Sequence, residues 1–418
     1  MKSGDTMRDS GLQRSIFDGV IPLKITKPIR LIELFAGIGA QAKALENLGV
    51  NFEHYRICEV DKYAVASYNA IHGTSFTTSD ITQIHSEDLG IIETDKYEYI
   101  MTYSFPCTDL SKAGKQQGMS RESGTRSGLL WEVERLLIEI TKKGGRLPKI
   151  LLMENVPDVL SEKNRKDFFL WCELLESLGY TSKYAILNAK DFGVPQNRKR
   201  CFMLSWLGED YYYDFPHKKP LVVRLKDVLE PSVDEKYYLS KKAIKGFYKH
   251  TKESIEKGNG FRFEPTNGQG IAKAILSKSG SRPCDNYLVL DEQNGYIRKN
   301  GKVGTLTTDG SSSKHNNRII EKVRIVQYGH GYLPAGEICG DLYPTIRMSN
   351  TAGYNNGIQL GNDTRVRKLT PKECWRLMGF DDESFSRAEK KVSNSQLYKQ
   401  AGNSIVVNVL MAIFEQLF

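Results

Sequence analysis

The chain has 418 residues, 40% of them apolar, and carries a formal net charge of +9. That length exceeds one ordinary core and suits a large domain joined to a smaller one, and the absence of any stretch of about 18 uncharged apolar residues excludes a spanning helix. Residues 219–366 hold 23 Lys and Arg against 15 Asp and Glu, so eight of the nine excess positive charges lie in one third of the chain, which fits either a solvated surface or a phosphate-facing one.

Residues 1–28 mix charges, Gly and Ser without an apolar run; they do not make a secretory signal and are expected to form a tail. From Arg30 to about Phe215, short β-rich runs alternate with amphipathic helices. RLIELFAG (30–37) is expected to be a buried strand ending at glycines, followed by a helix over AQAKALENLG that stops at Gly49. YRICEV (55–60), YEYIMTYS (97–104), KILLMENV (149–156) and KRCFMLSW (199–206) are further strands. KYAVASYNAI, GLLWEVERLLIEI (128–140) and DFFLWCELLESLG (167–179) are helices, the second with Leu129, Val133, Leu136, Leu137 and Ile140 at helical spacing. Such alternation predicts a Rossmann-like α/β fold with a parallel, doubly wound sheet, here over residues 29–218.

Beyond residue 219 the texture changes to Gly, Ser, Asn and Lys with short strands, predicting a smaller β-rich domain over 219–366. From 367 to 418 the chain is helical again. It closes with QAGNSIVVNVLMAIFEQL (400–417), an apolar helix that needs a core and is expected to pack back onto the larger domain.

Four places combine residue types with chemical potential. Phe35-Ala36-Gly37-Ile38-Gly39 lies where a strand turns into a helix, so its glycines let a ligand approach the backbone and the helix end offers free N–H groups. Glu59 follows 20 residues after Gly39, at the end of the next strand, where a carboxylate can hold ribose hydroxyls. Alone this pattern fits any nucleoside-containing cofactor, a nicotinamide nucleotide included, or a tight turn with no ligand. Ser104-Phe105-Pro106-Cys107 ends a strand and runs into a polar loop, unlike the setting of a core cysteine. Glu154-Asn155-Val156 delivers a carboxylate to another strand end, and Gln196, Arg198 and Arg200 alternate just before a strand, on one side of an extended segment. The seven cysteines (58, 107, 172, 201, 284, 339 and 374) contain no C-x-x-C pair, which argues against a disulfide framework or a zinc cluster and fits a reducing cytosol.

The order FAGIG, CEVD, DIT, FPC, ENV, QNRKR and AGNS resembles that of the DNA (cytosine-5)-methyltransferase family, through about residues 30–206 and again 366–410. The resemblance implies transfer of a methyl group from S-adenosylmethionine to carbon 5 of a cytosine, with no metal. Phe35, Gly37 and Gly39 would cradle the methionine part of the cofactor. Glu59 would bind its ribose, and Asp80 and Ile81 would face its adenine. Pro106, Leu129, Asn403 and Ile405 would complete the pocket. Val60 stands where the family often has an aromatic residue on the adenine, and Thr108 where it usually has Gln.

Cys107 matches the family nucleophile: thiolate addition at C6 turns C5 into an enamine carbon able to take a methyl group. Glu154 would hold the N3/N4 edge of the base and protonate N3. Arg200 and Arg198 would contact O2. The target base must leave the stack, and the loop from Ser111 to Arg126 suits a lid, with Ser111, Lys112, Lys115, Gln116, Arg121 and Arg126 toward DNA. Residues 219–366 become the target-recognition domain. Thr345-Ile346, followed by Arg347, resembles the family's Thr-Leu step, and Thr305-Leu306 is a second candidate.

The expected substrate is a short specific sequence in double-stranded DNA, with the same chemistry on tRNA as the alternative. A silent DNA-binding protein is disfavoured by the intact Cys107, Glu154 and Arg200. A monomer is expected, in the cytoplasm of a bacterial or phage-infected cell, as an orphan or restriction-modification enzyme whose endonuclease need not bind it.

Overall fold

The computed structural model describes residues 21–107, 110, 118–121, 125–258, 262–290, 325–328, 355–358 and 365–418. The chain divides into two compact units. The first comprises Met1–Asn188, Lys199–Lys218 and Ile405–Phe418, and the second Ala189–Arg198 with Lys219–Ser404.

In the first unit the apolar runs become strands β1 (Ile29–Leu34), β2 (Phe52–Cys58), β3 (Glu98–Tyr103), β4 (Ile150–Asn155), β5 (Tyr180–Asn188) and β6 (Lys199–Leu207). They form one sheet in the order β2-β1-β3-β4-β6-β5. The first four strands are parallel, as the alternation predicts, but β6 runs antiparallel to both β4 and β5. Only Ala189–Arg198 separate β5 from β6, and a crossover that keeps strands parallel needs a dozen residues or more.

Helix α3 (Leu130–Lys142) buries Val133, Leu136, Leu137 and Ile140, and α4 (Glu162–Ser177) buries Phe168, Trp171 and Leu175, in one core with Ile32, Leu34, Met101, Tyr103, Leu151 and Met153 of the sheet. Burying such side chains is worth roughly 1.5–3 kcal/mol each, so the sheet face rather than local propensity fixes these helices. Because side chains alternate along a strand, Glu33 points to the other face of β1. There its carboxylate accepts hydrogen bonds from the Tyr68 hydroxyl of α2 (Lys62–His72) and from the Ala42 amide of α1 (Ala40–Asn47). The closing helix α9 (Val407–Glu415) packs against α1, and Tyr213 donates to the carbonyl of Ile413 within it.

The second unit begins earlier and ends later than the texture of the sequence predicts. Gln196-Asn197 pairs with Ala272-Lys273, and the Gln196 side chain donates to the Leu377 carbonyl while accepting from the Ile275 amide. Residues 367–404 join the same unit through Glu373, which accepts from the Glu230 amide at 2.9 Å and is held by an almost fully buried bidentate pair with Arg367 at 2.7 and 2.8 Å. Removing one partner of such a pair typically costs about 3–5 kcal/mol. Short ladders join β7 (Tyr287–Leu290) to β10 (Arg365–Lys368) and β8 (Ile325–Tyr328) to β9 (Asn355–Ile358).

The sequence reading assigned no helix to Lys241–Glu256, yet α5 spans it. Ile244, Phe247 and Tyr248 pack on Phe263, Tyr287 and Val366, while Lys241, Lys245, Lys249 and Lys252 are exposed. Helices α6 (Pro371–Arg376), α7 (Asp382–Glu389) and α8 (Asn394–Asn403) follow. Among the described residues no helix is long and apolar enough to cross a membrane.

Candidate active site

The turn after β1 is built from alternating left-handed residues: Phe35 at φ 59°, Gly37 at 56° and Gly39 at 77°. That conformation costs a side-chain-bearing residue roughly 1–2 kcal/mol, so Phe35 marks a place held by its surroundings. Glu59, just beyond β2, ties the turn down. Its carboxylate accepts from the Gly37 amide at 2.9 Å and from the Asp61 amide at 2.8 Å. Burial pushes this carboxyl above its usual range, against the pull of those two amides.

The residues present fit a nucleoside-bearing cofactor. A Cβ at Gly37 would meet nothing within 4 Å, so open space lies over the turn. Val60, next to Glu59, is 70% exposed. Asp80 is exposed with its carboxylate turned to Thr82, and Ile81 is buried in the core.

At the end of β3, Phe105 is buried and Cys107 half-buried. The bend between them is pinned from two sides: Asn155 donates from its amide to the Phe105 carbonyl at 2.9 Å, and the Ser127 hydroxyl donates to the Pro106 carbonyl at 2.7 Å. The sequence offered Asn155 inside ENV and Ser127 inside RSGL, without a signal for either contact. None of the six described cysteines is in a disulfide. Burial pushes the Cys58 and Cys172 thiols up to about 11 and Cys201 up to about 12, so those groups stay protonated and inert.

Antiparallel pairing sets the end of β4 beside the start of β6, with Glu154 opposite Phe202 and Asn155 opposite Cys201. Arg200 therefore reaches Glu154, Nε to Oε1, at 3.1 Å. Glu154 is 8% exposed. Carboxylate and guanidinium thus sit together at the strand ends, an acceptor beside a donor, in a partly desolvated position where each is worth more than in water.

Arg198 goes elsewhere. It is 3% exposed, and its terminal nitrogens donate to the carbonyls of Ile275, Gly402 and Ser404. The expectation that Arg198 shares the O2 contact is corrected on this geometry: the guanidinium clamps the second unit together. Arg121, expected toward DNA, pairs with Glu134 at 2.7 Å and lies over the Trp131 ring at 4.4 Å. Arg126 is exposed at the start of a short turn of helix, and Leu129 packs at the edge of the core. Asn403 ends α8 in the second unit, and Ile405 is buried in the first. Thr108, Ser111, Lys112, Lys115, Gln116, Thr305, Leu306, Thr345, Ile346, Arg347 and residues 1–20 lie outside the described residues.

The glycine turn after the first strand, the acid after the second and the thiol after the third are carried on a Rossmann-like sheet of the kind found in C5 methyltransferases. Solved structures share this fold. A methyltransferase of Entamoeba histolytica, EhMeth, has a TM-score of 0.61 at 17% identity, covering 94% of this chain and 98% of that one. The Dnmt2 methyltransferase of S. pombe has a TM-score of 0.59 at 17% identity, covering 92% and 98%.

Residues 29–418 match the C-5 cytosine-specific DNA methylase family, and the chain belongs to it as a DNA (cytosine-5)-methyltransferase. It is 31% identical to the type II methyltransferase M2.ScrFI of Lactococcus lactis subsp. cremoris, over 93% of this chain and 99% of that protein. It is 32% identical to the orphan methyltransferase M.SssI of Spiroplasma monobiae, over 94% and 98%.

Proposed function

We propose that the chain methylates carbon 5 of a flipped-out cytosine within a short specific sequence of double-stranded DNA, with Cys107 as nucleophile, Glu154 as the acid on N3 and Arg200 as the donor to O2. The observation that carries this reading is the Glu154–Arg200 pair at the strand ends, in the same sheet that carries Cys107. Phe35, Gly37, Gly39, Glu59, Val60, Asp80, Ile81, Pro106, Leu129 and Ile405 would form the cofactor pocket. S-adenosylmethionine, when bound, supplies an electrophilic methyl group at its sulfonium.

Cytosine is aromatic and electron-poor at C6. The Cys107 thiolate forms a bond there, and the displaced electron pair moves toward C5 as Glu154 gives its proton to N3. Arg200 holds the charge that gathers on O2. C5 then has the electron pair that a methyl electrophile needs. A solvent base takes the C5 proton, its electron pair forms the C5–C6 double bond as the C6–S bond breaks and Cys107 leaves as thiolate, and N3 returns its proton to Glu154. None of these steps asks for a metal.

Glu154→Gln keeps the shape but has no proton to give. Single-turnover methylation should fall by about 10²–10⁴-fold while S-adenosylmethionine binding, read by calorimetry, stays near wild type. A rate within a few fold of wild type would take the acid role from Glu154.

The exposed lysine face of α5 supports DNA as partner. Lys241, Lys245, Lys249 and Lys252 form one exposed row along the helix, flanking its packed apolar side. Replacing all four by Ala should lower DNA affinity and reduce the slope of log affinity against log salt by about 3.6, as each lost phosphate contact removes about 0.9. An unchanged slope would remove this face from the interface.

The named type II and orphan relatives support a restriction-modification or orphan setting, and the reading is completed by a cytoplasmic monomer of a bacterial or phage-infected cell. Since the family is one of DNA methylases, RNA is the weaker substrate reading. Bisulfite sequencing of DNA from cells expressing the protein tests the whole proposal. Methylation at one short motif is expected, and unmodified DNA from cells with active enzyme would end it.

A further inference from the structure

Behind the cofactor turn lies a polar cluster that the chemistry above does not use: Glu33, Glu46, His54, Tyr68 and His72. Its members come from β1, α1, β2 and α2. His72, with its side chain fully buried, ends α2. Its Nδ1 is 2.6 Å from Glu46 Oε1 and its Nε2 is 3.2 Å from the Ile38 carbonyl, inside the cofactor turn. A Cβ placed on Gly39 would sit 2.3 Å from that same Nε2. The imidazole is thus the floor beneath the left-handed Gly39.

The hydrogen bonds decide the charge. A carbonyl oxygen only accepts, so the contact to Ile38 requires Nε2–H. A carboxylate oxygen also only accepts, so the contact to Glu46 requires Nδ1–H. Either neutral tautomer would set a nitrogen lone pair against an oxygen. Only the imidazolium satisfies both, and its place at the C-terminal end of α2 favours positive charge.

The surroundings agree. Burial alone would raise the Glu46 carboxyl, but hydrogen bonds from His54 and His72 outweigh it and hold it far below the usual carboxylate range. Lys43 is 3.5 Å from the other Glu46 oxygen. The Tyr68 hydroxyl donates to Glu33 at 2.6 Å, and His54 lies between Tyr68, 3.2 Å from its Nδ1, and Glu46, 3.4 Å from its Nε2.

Two histidines and a carboxylate are also the donor set of a zinc site. Ligands on a tetrahedral zinc lie about 3.3 Å apart. The 2.6 Å separation of His72 and Glu46 is the length of a hydrogen bond, and Lys43 already sits on the carboxylate.

We propose that His72 is a positioning residue for the cofactor turn: as an imidazolium bridging Glu46 and the Ile38 carbonyl, it holds the turn in the shape that binds S-adenosylmethionine. The inference rests on the assignment of Phe35–Gly39 as the cofactor cradle. The two His72 contacts are therefore linked to cofactor affinity and not to the chemical step.

The test is steady-state methylation by the full chain at saturating DNA, with S-adenosylmethionine varied. His72→Ala should raise KM for S-adenosylmethionine on the order of tenfold, the worth of a hydrogen bond to a charged group, and leave kcat within about twofold. Glu46→Ala, which removes the anchor on Nδ1 but leaves the ring, should raise KM by a smaller factor, again without moving kcat. This second variant carries the test if His72→Ala does not fold.

An unchanged KM in both variants, a fall in kcat as large as the rise in KM, or a drop in wild-type KM on adding zinc would overturn the proposal. Calorimetry separates the two layers. A wild type that binds no S-adenosylmethionine would sink the cradle assignment, whereas normal binding with indifferent variants would sink only the role of His72.

Discussion

Cys107→Ser should bind S-adenosylmethionine and DNA with affinities near wild type and lose methyl transfer by at least about four orders of magnitude, the usual cost of removing a covalent nucleophile. A serine hydroxyl fits the space of the thiol but is not ionised near neutral pH, and it is a far poorer nucleophile toward an unsaturated carbon. The fold should not notice the change. Cys107 is half-buried at the rim of the core, and its bend is pinned by Asn155 and Ser127 through the backbone of Phe105 and Pro106. Melting temperature is therefore expected to stay within a degree or so.

The covalent step can be seen directly. With 5-fluorocytosine at the target position, the final loss of a proton from C5 is blocked, so wild-type enzyme should form an adduct that survives denaturing electrophoresis. Cys107→Ser should form none. Turnover near normal in the serine variant, or no adduct with the wild type, would remove the thiol from the mechanism. The structural cysteines supply a control. Burial pushes the Cys201 thiol up to about 12, and Cys201→Ser should leave adduct formation intact while costing stability.

Much of this site was legible because its parts are local. Each strand is a short apolar run that ends at its functional residue, so Glu59, Cys107 and Glu154 could be placed at strand ends without knowing which strands are neighbours. What depended on neighbours was not legible. The antiparallel turn of β6 follows from the shortness of Ala189–Arg198, a fact that matters only once β5 and β6 share a sheet.

Arg198 and Arg200 looked equivalent because alternate residues of a strand share a side. The rule needs a continuous strand, and here it fails: the Arg198 amide donates to the Gln196 carbonyl two residues back, and β6 begins only at Lys199. That tight turn sends Arg198 into the second unit and leaves Arg200 beside Glu154. Helix α5 was hidden by Gly246 and by lysines among its apolar positions, although Ile244, Phe247, Tyr248 and Thr251 keep helical spacing. The His72 cluster was out of reach altogether, since its members are contributed by four elements and no motif links them.

The two glycines of the cofactor turn should fail in different ways. Both are left-handed, so either alanine variant carries about 1 kcal/mol of backbone strain. At Gly37 the new methyl meets nothing within 4 Å. Gly37→Ala should fold and melt almost as the wild type does, yet lose S-adenosylmethionine affinity by on the order of 100-fold, because the methyl enters the space the cofactor needs.

At Gly39 the methyl would sit 2.3 Å from His72 Nε2 and 2.7 Å from Tyr68 Cε2. Neither ring can retreat freely: His72 is held by Glu46 and Tyr68 by Glu33. Gly39→Ala should therefore cost stability as well as binding, by about 3 kcal/mol when overpacking is added to the strain. Thermal melting read beside calorimetric titration with S-adenosylmethionine separates the two variants. Equal melting temperatures for both would mean that the rings behind Gly39 yield, and that the floor beneath the turn is softer than its hydrogen bonds imply.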